Sequence, residues 1–322
     1  MTKNFNMLLF LYMTIMGTAM SLSANNWLII WTGLEISVMS MMPMISNKNF
    51  LSSEASVKYF VIQSISSSMM MLGVLLLLIN SKIEYQMILT SSMMLKMGIA
   101  PFHNWILEMI ESVELTIMFF LLTFMKIAPL NMISYLMFKN NLFILISLLV
   151  GSMFGLNQTS LRKVMCYSSI FNLSFILASI STNSIWWLYM MVYSMMLLMI
   201  LFLMNKMKIN YINQLSLNEN KMNLKMNIWL AMLSMGGMPP MMGFMLKLMI
   251  IQMMLTNKEF LISIVMILSS TLVMFYYLRM SFLSILFSSS TIKWKMLSTM
   301  KSSSWIIMVN ISLMPLILTL KT

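Results

Sequence analysis

Long apolar stretches separated by short polar loops run along the whole chain. About 20 helical residues cross the roughly 30 Å apolar core of a bilayer, and eleven stretches have a length near this value. These candidate spans cover approximately residues 5–22, 26–45, 57–79, 84–100, 113–138, 141–157, 163–180, 184–204, 226–255, 260–287 and 303–320. The longest connection, residues 205–225, is polar and too short for a separate domain. The pattern predicts an all-α polytopic membrane protein with about eleven transmembrane helices.

Glycine and proline interrupt two of the predicted spans. In the fourth span, Gly98 and Pro101 follow Lys96. In the ninth, the interruption precedes Lys247 and consists of Gly236, Gly237, Pro239, Pro240 and Gly243. Proline removes a backbone hydrogen-bond donor and clashes with the preceding turn, so both helices are predicted to be discontinuous. Paired discontinuous helices are typical of inverted repeats around a midplane site, although glycine and proline are also frequent in membrane helices generally.

Composition supports a membrane protein and excludes most cofactor chemistry. Of the 322 residues, 60% are hydrophobic and 9% are charged, whereas about a quarter of a typical soluble domain is charged. The one cysteine, Cys166, and the one histidine, His103, cannot supply the ligands of an iron–sulfur cluster, a bis-histidine haem or a conventional zinc site. No G-x-G-x-x-G motif supports dinucleotide binding. We therefore expect no cofactor and no metal in this chain.

The basic residues indicate an orientation in the membrane. The chain carries a net charge of +12 and 48 methionines, a composition that resembles translation from an AT-rich invertebrate mitochondrial genome. When the loops are assigned alternately to the two faces, twelve lysines and arginines lie on one side and four on the other. By the positive-inside rule, this asymmetry predicts an N-terminus in the matrix and a C-terminus on the opposite face. Bases scattered over loops act as topology signals, so no nucleic-acid partner is expected.

Four ionisable side chains lie deep inside predicted spans: Glu35, Lys96, Lys126 and Lys247. Each costs about 2.5–3.5 kcal/mol at a helix centre, or roughly 10–14 kcal/mol together if left unpaired in lipid. They are therefore predicted to face the interior of the bundle. Burial disfavours a charged form and a nearby opposite charge favours it, so such groups can titrate near neutrality and carry protons. The alternative is that Glu35 pairs with one lysine only to neutralise it.

Other polar residues have both a structural and a functional interpretation. The third span carries Gln63 with three serines on one helical face, and the seventh carries Asn172 with three serines; helix packing is favoured over a water wire for both. His103 is expected to be interfacial and hydrogen-bonded rather than part of a relay. Arg279 is expected to extend to the nearby membrane surface or to pair there. Three glutamates within residues 108–114 favour a solvated acidic edge or a partner contact over a metal site.

Six segments of the chain occur in the order found in a known family. They are GLE (33–35), SSEASVKYFVIQ (52–63), LKMGIAPFHNWILE (95–108), TFMKIAPL (123–130), GLNQTSLRKVMCYSSI (155–170) and LSMGGMPPMMGFMLK (233–247). On these motifs, from about residue 25 to 255, the sequence resembles the chain 2 family of mitochondrial NADH:ubiquinone oxidoreductase, respiratory complex I. Members of this family are antiporter-like subunits of the membrane arm, and the animal versions have eleven spans.

The resemblance implies a fold, an activity and partners. The fold would be one transmembrane domain of antiporter-like inverted repeats, with half-channels at about 26–138 and 141–287 and a C-terminal span at 303–320. The chain would lie in the mitochondrial inner membrane among other membrane-arm and accessory subunits, with its C-terminus in the intermembrane space. It would translocate protons, coupled to NADH oxidation and ubiquinone reduction elsewhere in the complex. Flavin, iron–sulfur clusters and ubiquinone would be bound by other subunits.

The resemblance also implies roles for individual residues. Glu35 would pair with Lys96. Lys126 would bridge the two half-channels, and Lys247 would carry protons in the second. Many relatives have a histidine where this chain has Asn172, and an asparagine cannot take up a proton, so Asn172 cannot carry out a relay step at that position.

Two other functional classes stay open. One is an independent cation/proton antiporter of a related multi-subunit type, which the short chain and the methionine-rich composition disfavour. The other is a spacer that joins pumping subunits without pumping, which the intramembrane lysines disfavour.

Overall fold

The computed structural model of the chain describes residues 2–46, 50–79, 83–136, 141–181, 183–217 and 222–286. Within these ranges the regular secondary structure is helical, apart from one isolated antiparallel bridge between Ser160 and Tyr211. Helices lie at ten of the eleven predicted spans. The eleventh span, 303–320, falls outside the described residues. The chain divides into two compact units, Met1–Phe143 and Ile144–Thr322.

The described part of the first unit comprises seven helices and the start of an eighth. In chain order they are α1 (Thr2–Ser23), α2 (Trp27–Ile45), α3 (Phe50–Ile79), α4 (Ile83–Met97), α5 (Asn104–Ile110), α6 (Leu115–Leu122), α7 (Phe124–Ser134) and α8 (Asn141–Leu156). Helix α2 packs on α1 and α3, and α4 packs on α3 and α7. The helices that carry Glu35, Lys96 and Lys126 are therefore connected to one another through α3 and α4.

Small residues bring α1 and α2 into close contact. A Cβ atom at Gly17 would lie 2.8 Å from the carbonyl oxygen of Gly33, and a Cβ atom at Gly33 would lie 2.8 Å from that of Gly17. Such glycine-mediated approaches are typical of tightly crossing membrane helices. The contact holds the turn of α2 that carries Glu35, two residues further along.

Helix α3 begins at Phe50, well before the predicted start of the third span at residue 57. Its first turns are polar and contain an ion pair between Glu54 and Lys58, with a distance of 2.9 Å. Pairs with this i, i+4 spacing stabilise a helix by about 0.2–0.5 kcal/mol. Lys58 also contacts Glu108 of α5 at 2.7 Å. The helix therefore extends beyond its apolar part because the polar residues pair with one another.

The second unit is organised around one fully enclosed helix. It comprises α8 from Ile144 onward, α9 (Leu161–Ser179), α10 (Asn183–Met207), α11 (Ile212–Leu217), α12 (Met222–Gly236), α13 (Met242–Thr256) and α14 (Phe260–Leu286). Every residue of α9 from Val164 to Ser179 is buried. Helices α10 and α13 pack on α9, and α14 packs on α12 and α13. Helix α9 thus forms the core of this unit.

Among the described residues, six helical segments are long and apolar enough to cross a membrane. They are Phe5–Ser23, Trp27–Ile45, Phe50–Ile79, Leu115–Ser134, Ile185–Met207 and Phe260–Phe282. Two shorter helices, Asn141–Leu156 and Met242–Thr256, are also apolar. Large apolar side chains such as Leu8, Leu78 and Leu268 are exposed on the outer faces of these helices. A lipid bilayer solvates such a surface, whereas soluble proteins rarely expose it over large areas.

A third interruption, absent from the sequence-based prediction, divides the fifth span into α6 and α7 at Thr123. Thr123 has a non-helical backbone conformation, with φ −120° and ψ −75°. Its hydroxyl donates to the carbonyl of Phe119 at 2.7 Å, the back-bonding that bends membrane helices. Pro129 lies inside α7 and cannot donate a helical hydrogen bond. The kink places Lys126 in the first turn of α7.

Candidate functional site

The first candidate site surrounds the break between α4 and α5. Gly98 follows α4 in a left-handed conformation with φ of +63°, and the chain turns through Pro101 before α5 begins. Glycine adopts this conformation at little steric cost. A Cβ atom at Gly98 would also collide with Ile106 and approach Trp105 Nε1 to 3.2 Å. Gly98 therefore lets α5 fold back against the end of α4.

Lys96 lies at the end of α4. Its backbone carbonyl is hydrogen-bonded, whereas its side-chain ammonium is not, among the described residues. Its carbonyl accepts a hydrogen bond of 3.2 Å from the Gln63 amide of α3, which satisfies one of the carbonyls left without a helical partner at a helix end. The Lys96 ammonium is buried and has no hydrogen-bond partner within the described part of the chain. A buried charge without a partner is costly, so this position is not explained by packing.

Lys96 and Lys126 line the same internal cavity. Side chains from α2, α3, α4, α5, α6 and α7 surround it, and its volume is about 20 Å³. A cavity needs about 10–15 Å³ to hold one water molecule. Tyr59 and Trp105 also line the cavity, and both have buried polar atoms without a partner among the described residues. The cavity thus combines room for a water with polar groups that need one.

Lys126 is among the most enclosed ionisable groups in the described residues, with 1% of its surface exposed. It lies on α7, which packs on α4, and shares the cavity wall with Met125 and Pro129 of the same helix. Helix α7 begins after the kink at Thr123, and the face that carries Lys126 lines the cavity together with Lys96.

Glu35 is half-buried on α2, and one of its carboxylate oxygens is buried without a hydrogen-bond partner in the described structure. It forms no direct ion pair with Lys96, because the buried Lys96 ammonium has no hydrogen-bond partner in the described part of the chain. Leu34, which precedes Glu35 on α2, nevertheless lines the cavity together with Lys96 and Tyr59. The structure therefore brings Glu35 near Lys96 without direct contact, and the pairing implied by the resemblance stays a prediction.

The second candidate site lies at the break between α12 and α13. Helix α12 ends at Gly236, and Gly237 follows with φ of +85°. The Lys247 ammonium of α13 donates to the carbonyls of Met235 and Gly236 at 3.2 and 2.8 Å. A cation at a helix C-terminus interacts favourably with the helix dipole. Lys247 thus caps the helix that precedes the break.

Two further contacts define the surroundings of Lys247. Its ammonium lies 5.2 Å from the centre of the Phe171 ring, a cation–π arrangement. A Cβ atom at Gly243 would collide with the carbonyl oxygen of Ser234, so this glycine permits α12 and α13 to approach closely. Pro239 and Pro240 lie in the exposed connection between the two helices.

Asn172, next to Phe171 on α9, accepts a hydrogen bond of 2.9 Å from the Tyr189 hydroxyl of α10. The buried serines of α9 donate to carbonyls of their own helix; they are Ser168, Ser169, Ser174 and Ser179. The serines that follow Gln63 on α3 do the same. These bonds fit the packing interpretation of both polar faces.

The side chains of His103 and Arg279 each contact a backbone carbonyl group. His103 precedes α5, and its Nδ1 lies 3.2 Å from the carbonyl oxygen of Pro101. Arg279 of α14 is exposed and donates to the carbonyl of Leu156 at the end of α8, at 3.3 Å. Neither residue lines the cavity of Lys96 and Lys126.

Sequence reasoning did not identify Tyr59, Trp105 or Thr123 as parts of the site. A signal for Tyr59 exists, since it precedes the buried polar residue Gln63 by four positions on α3 and so shares its helical face. In the described ranges, no group of three histidine, cysteine, aspartate or glutamate side chains could hold a metal ion. The acidic residue Glu108 instead pairs with Lys58.

Comparison with known proteins identifies the family to which the chain belongs. Residues 24–273 match the family described as NADH:quinone oxidoreductase/Mrp antiporter, transmembrane. The chain therefore belongs to this family of membrane proteins. It is similar in particular to NADH-ubiquinone oxidoreductase chain 2 of Locusta migratoria, with 38% identity over 307 residues, which cover 91% of this chain and 90% of the relative.

The fold is shared more widely than the sequence. A chain of respiratory complex I from Thermus thermophilus covers 98% of this chain, which spans 78% of that one, with a TM-score of 0.83 and 18% identity. A chain of the Mrp complex from Dietzia has a TM-score of 0.76 at 12% identity, covering 84% of this chain and 59% of its own length. At such low identities these likenesses show the fold alone.

Proposed function

We propose that the chain is a core membrane-arm subunit of respiratory complex I that translocates protons across the mitochondrial inner membrane. NADH oxidation and ubiquinone reduction then occur in other subunits, which bind the flavin, iron–sulfur clusters and ubiquinone. The observation that supports this most strongly is the cavity shared by Lys96 and Lys126. The identity to chain 2 of Locusta migratoria over nearly the whole chain favours complex I over an independent antiporter, and the buried lysines argue against a passive spacer.

The cavity suggests how a proton moves within the first unit. A water in it can accept a proton from the Lys96 ammonium and pass one to a neutral Lys126 amine, so that charge moves from α4 to α7 without a new covalent bond. The Glu35 carboxylate attracts the proton on Lys96 and lowers the cost of charging that site. Redox energy from the rest of the complex would act by changing this attraction.

Lys126 would then pass protons toward the second half-channel, in which Lys247 is the carrier. The proposed arrangement consists of half-channels at about 26–138 and 141–287, related as inverted repeats, within eleven spans that include 303–320. Each half contains one broken helix beside a buried lysine, and paired broken helices in the two halves of a chain are the pattern typical of inverted repeats. The chain would thus contribute the translocase activity of the enzyme and no redox step.

The proposed orientation has the N-terminus in the matrix and the C-terminus in the intermembrane space, because of the twelve-to-four asymmetry of loop charges. The loop at 205–225 and the segment at 291–302 should then be labelled from the matrix face of oriented inner-membrane vesicles. Labelling of the 205–225 loop and the C-terminal tail from the same face would exclude the eleven-span arrangement.

Replacing Glu35 by Gln tests the proposed function. The change removes the acid that balances Lys96, so proton pumping and quinone-linked turnover should fall severalfold or more in the assembled, reconstituted complex. Oxidation of NADH with an artificial acceptor should be retained, because it does not use the membrane arm. Glu54→Gln is the matched control, since Glu54 is an exposed acid paired with Lys58. Full pumping by a normally assembled Glu35→Gln complex would contradict the proposal.

A further inference from the structure

Tyr59 of α3 lines the cavity, and helix packing does not explain why this position carries a hydroxyl group. It is buried, with 1% of its surface exposed, and its hydroxyl has no hydrogen-bond partner in the described part of the chain. A buried hydroxyl without a partner costs about 1–3 kcal/mol. The Tyr59 ring is fixed in place, with its centre 6.1 Å from that of Trp105 and the planes tilted by 47°.

The polar side chains that line the cavity include more hydrogen-bond donors than acceptors. Trp105 Nε1 can only donate, and so can the ammonium groups of Lys96 and Lys126 while they are charged. A water molecule can accept from two such donors, but its own two protons then need acceptors. The Tyr59 hydroxyl can accept and donate at once. Gln63 offers an amide oxygen as the second acceptor while its nitrogen binds the Lys96 carbonyl.

We propose that Tyr59 is a positioning residue for proton transfer, which orients a water in this cavity between Lys96 and Lys126. Tyr59 accepts one proton of this water. When Lys126 is neutral, its amine replaces the Gln63 oxygen as the acceptor of the second proton, so the water donates to Lys126 while a lone pair faces the Lys96 ammonium. The inference rests on the proposed function, and adds to it a residue that neither carries net charge nor takes up a proton permanently.

The position of Tyr59 also couples the water to Glu35. Glu35 follows Leu34 on α2, and Leu34 lines the cavity with Tyr59 and Lys96, so the carboxylate is close enough for its charge to act on the cavity although it forms no ion pair with Lys96. A change in the charge of Glu35 would therefore alter the direction in which the Tyr59 hydroxyl points. Reorienting the hydroxyl would turn the water, and with it the direction of the next proton transfer, without any movement of a helix.

The test is Tyr59→Phe in the assembled complex reconstituted into liposomes. The change removes one hydroxyl and keeps the ring contact with Trp105. Turnover with ubiquinone and the coupled proton pumping should fall at least tenfold, up to the roughly 10²–10⁴-fold effect of a general acid or base. The KM for ubiquinone and NADH oxidation with an artificial acceptor should not change. The solvent deuterium isotope effect on turnover should increase, because proton transfer becomes rate-limiting.

Tyr193→Phe is the matched control. Tyr193 is fully buried in the second unit, with its hydroxyl beside Ser169 of α9, and it does not line this cavity. The control variant should retain wild-type turnover. An equal loss of turnover in both variants would show that removal of any buried hydroxyl is harmful, and would overturn the positioning role.

A second variant, Val38→Ile, leaves Tyr59 intact and adds a methyl group to the cavity wall that Val38 forms. The added group displaces the water, so this variant should reproduce the loss of turnover and the larger isotope effect, including where Tyr59→Phe fails to assemble. Wild-type turnover in Val38→Ile, or in an assembled Tyr59→Phe, overturns the positioning role. If Glu35→Gln still stops pumping in that case, the proposed function stands; if it also pumps normally, both fail.

Discussion

The two helices that are broken at glycine and proline hold their lysines in opposite ways. At the α4–α5 break, Lys96 precedes the interruption, and its ammonium is buried beside a cavity without a hydrogen-bond partner in the described structure. At the α12–α13 break, Lys247 follows the interruption and donates to two carbonyls at the end of the preceding helix. The order of lysine and break therefore decides whether the side chain can cap the helix or faces the cavity.

This difference suggests that Lys96 and Lys247 contribute differently to folding. Lys247 links α12 to α13, so its charge contributes to folding as well as to transport. The Lys96 side chain contributes no such link. Gln63 donates a hydrogen bond to the Lys96 backbone carbonyl, and the Lys96 ammonium has no hydrogen-bond partner among the described residues. A site whose charge is not needed to hold the helices together can gain and lose a proton at lower structural cost. The first unit is thus the better candidate for the step at which protonation changes.

The largest expected difference between the two sites appears when each lysine is replaced by Met. Lys247→Met removes two hydrogen bonds from a charged donor, worth about 1.5–3 kcal/mol each, so the complex should unfold at a lower temperature and contain less of this chain. Lys96→Met removes a buried charge without a partner and should leave the unfolding temperature unchanged or higher. Both variants should lose proton pumping. Unfolding temperatures that fall equally would remove the distinction between the two breaks.

A smaller difference is expected from alanine at the two left-handed glycines. Gly98→Ala and Gly237→Ala should each cost about 1–2 kcal/mol, because an L-residue is strained at a positive φ. At Gly98 the new Cβ also collides with Ile106, whereas at Gly237 it meets the Lys247 ammonium at 3.0 Å. Gly98→Ala should therefore also lower turnover, and the additional change Ile106→Val, which shortens the colliding side chain, should restore part of it.

The same Ile106→Val change should not improve Gly237→Ala, since the two positions belong to different breaks. A double-mutant cycle on thermal stability and turnover measures both couplings. Strictly additive effects in the Gly98 and Ile106 pair would mean that the collision is not what makes glycine necessary there.

The sequence predicted the helices and the buried charges better than it predicted their partners. Hydropathy located the helices because a span must be apolar over its length, and the glycines and prolines of the fourth and ninth spans marked two breaks. The kink at Thr123 was missed, because the sequence does not show whether the hydroxyl of a helical threonine donates a hydrogen bond to a carbonyl of its own helix. Tyr59 was missed because its role depends on a cavity walled by six helices, and no local pattern records which helices become neighbours.

The most direct test of the account is the proton-to-electron ratio of complexes that carry Lys126→Arg. Arginine retains the positive charge and the hydrogen-bond donors but keeps its proton under ordinary conditions, so only titration is lost. We predict that Lys126→Arg and Lys247→Arg each abolish the proton pumping contributed by this chain, while Lys58→Arg, at an exposed lysine, behaves as wild type. Assembly is checked on the same particles by NADH oxidation with an artificial acceptor. A wild-type proton-to-electron ratio in an assembled Lys126→Arg complex would contradict the account and favour a spacer that does not pump.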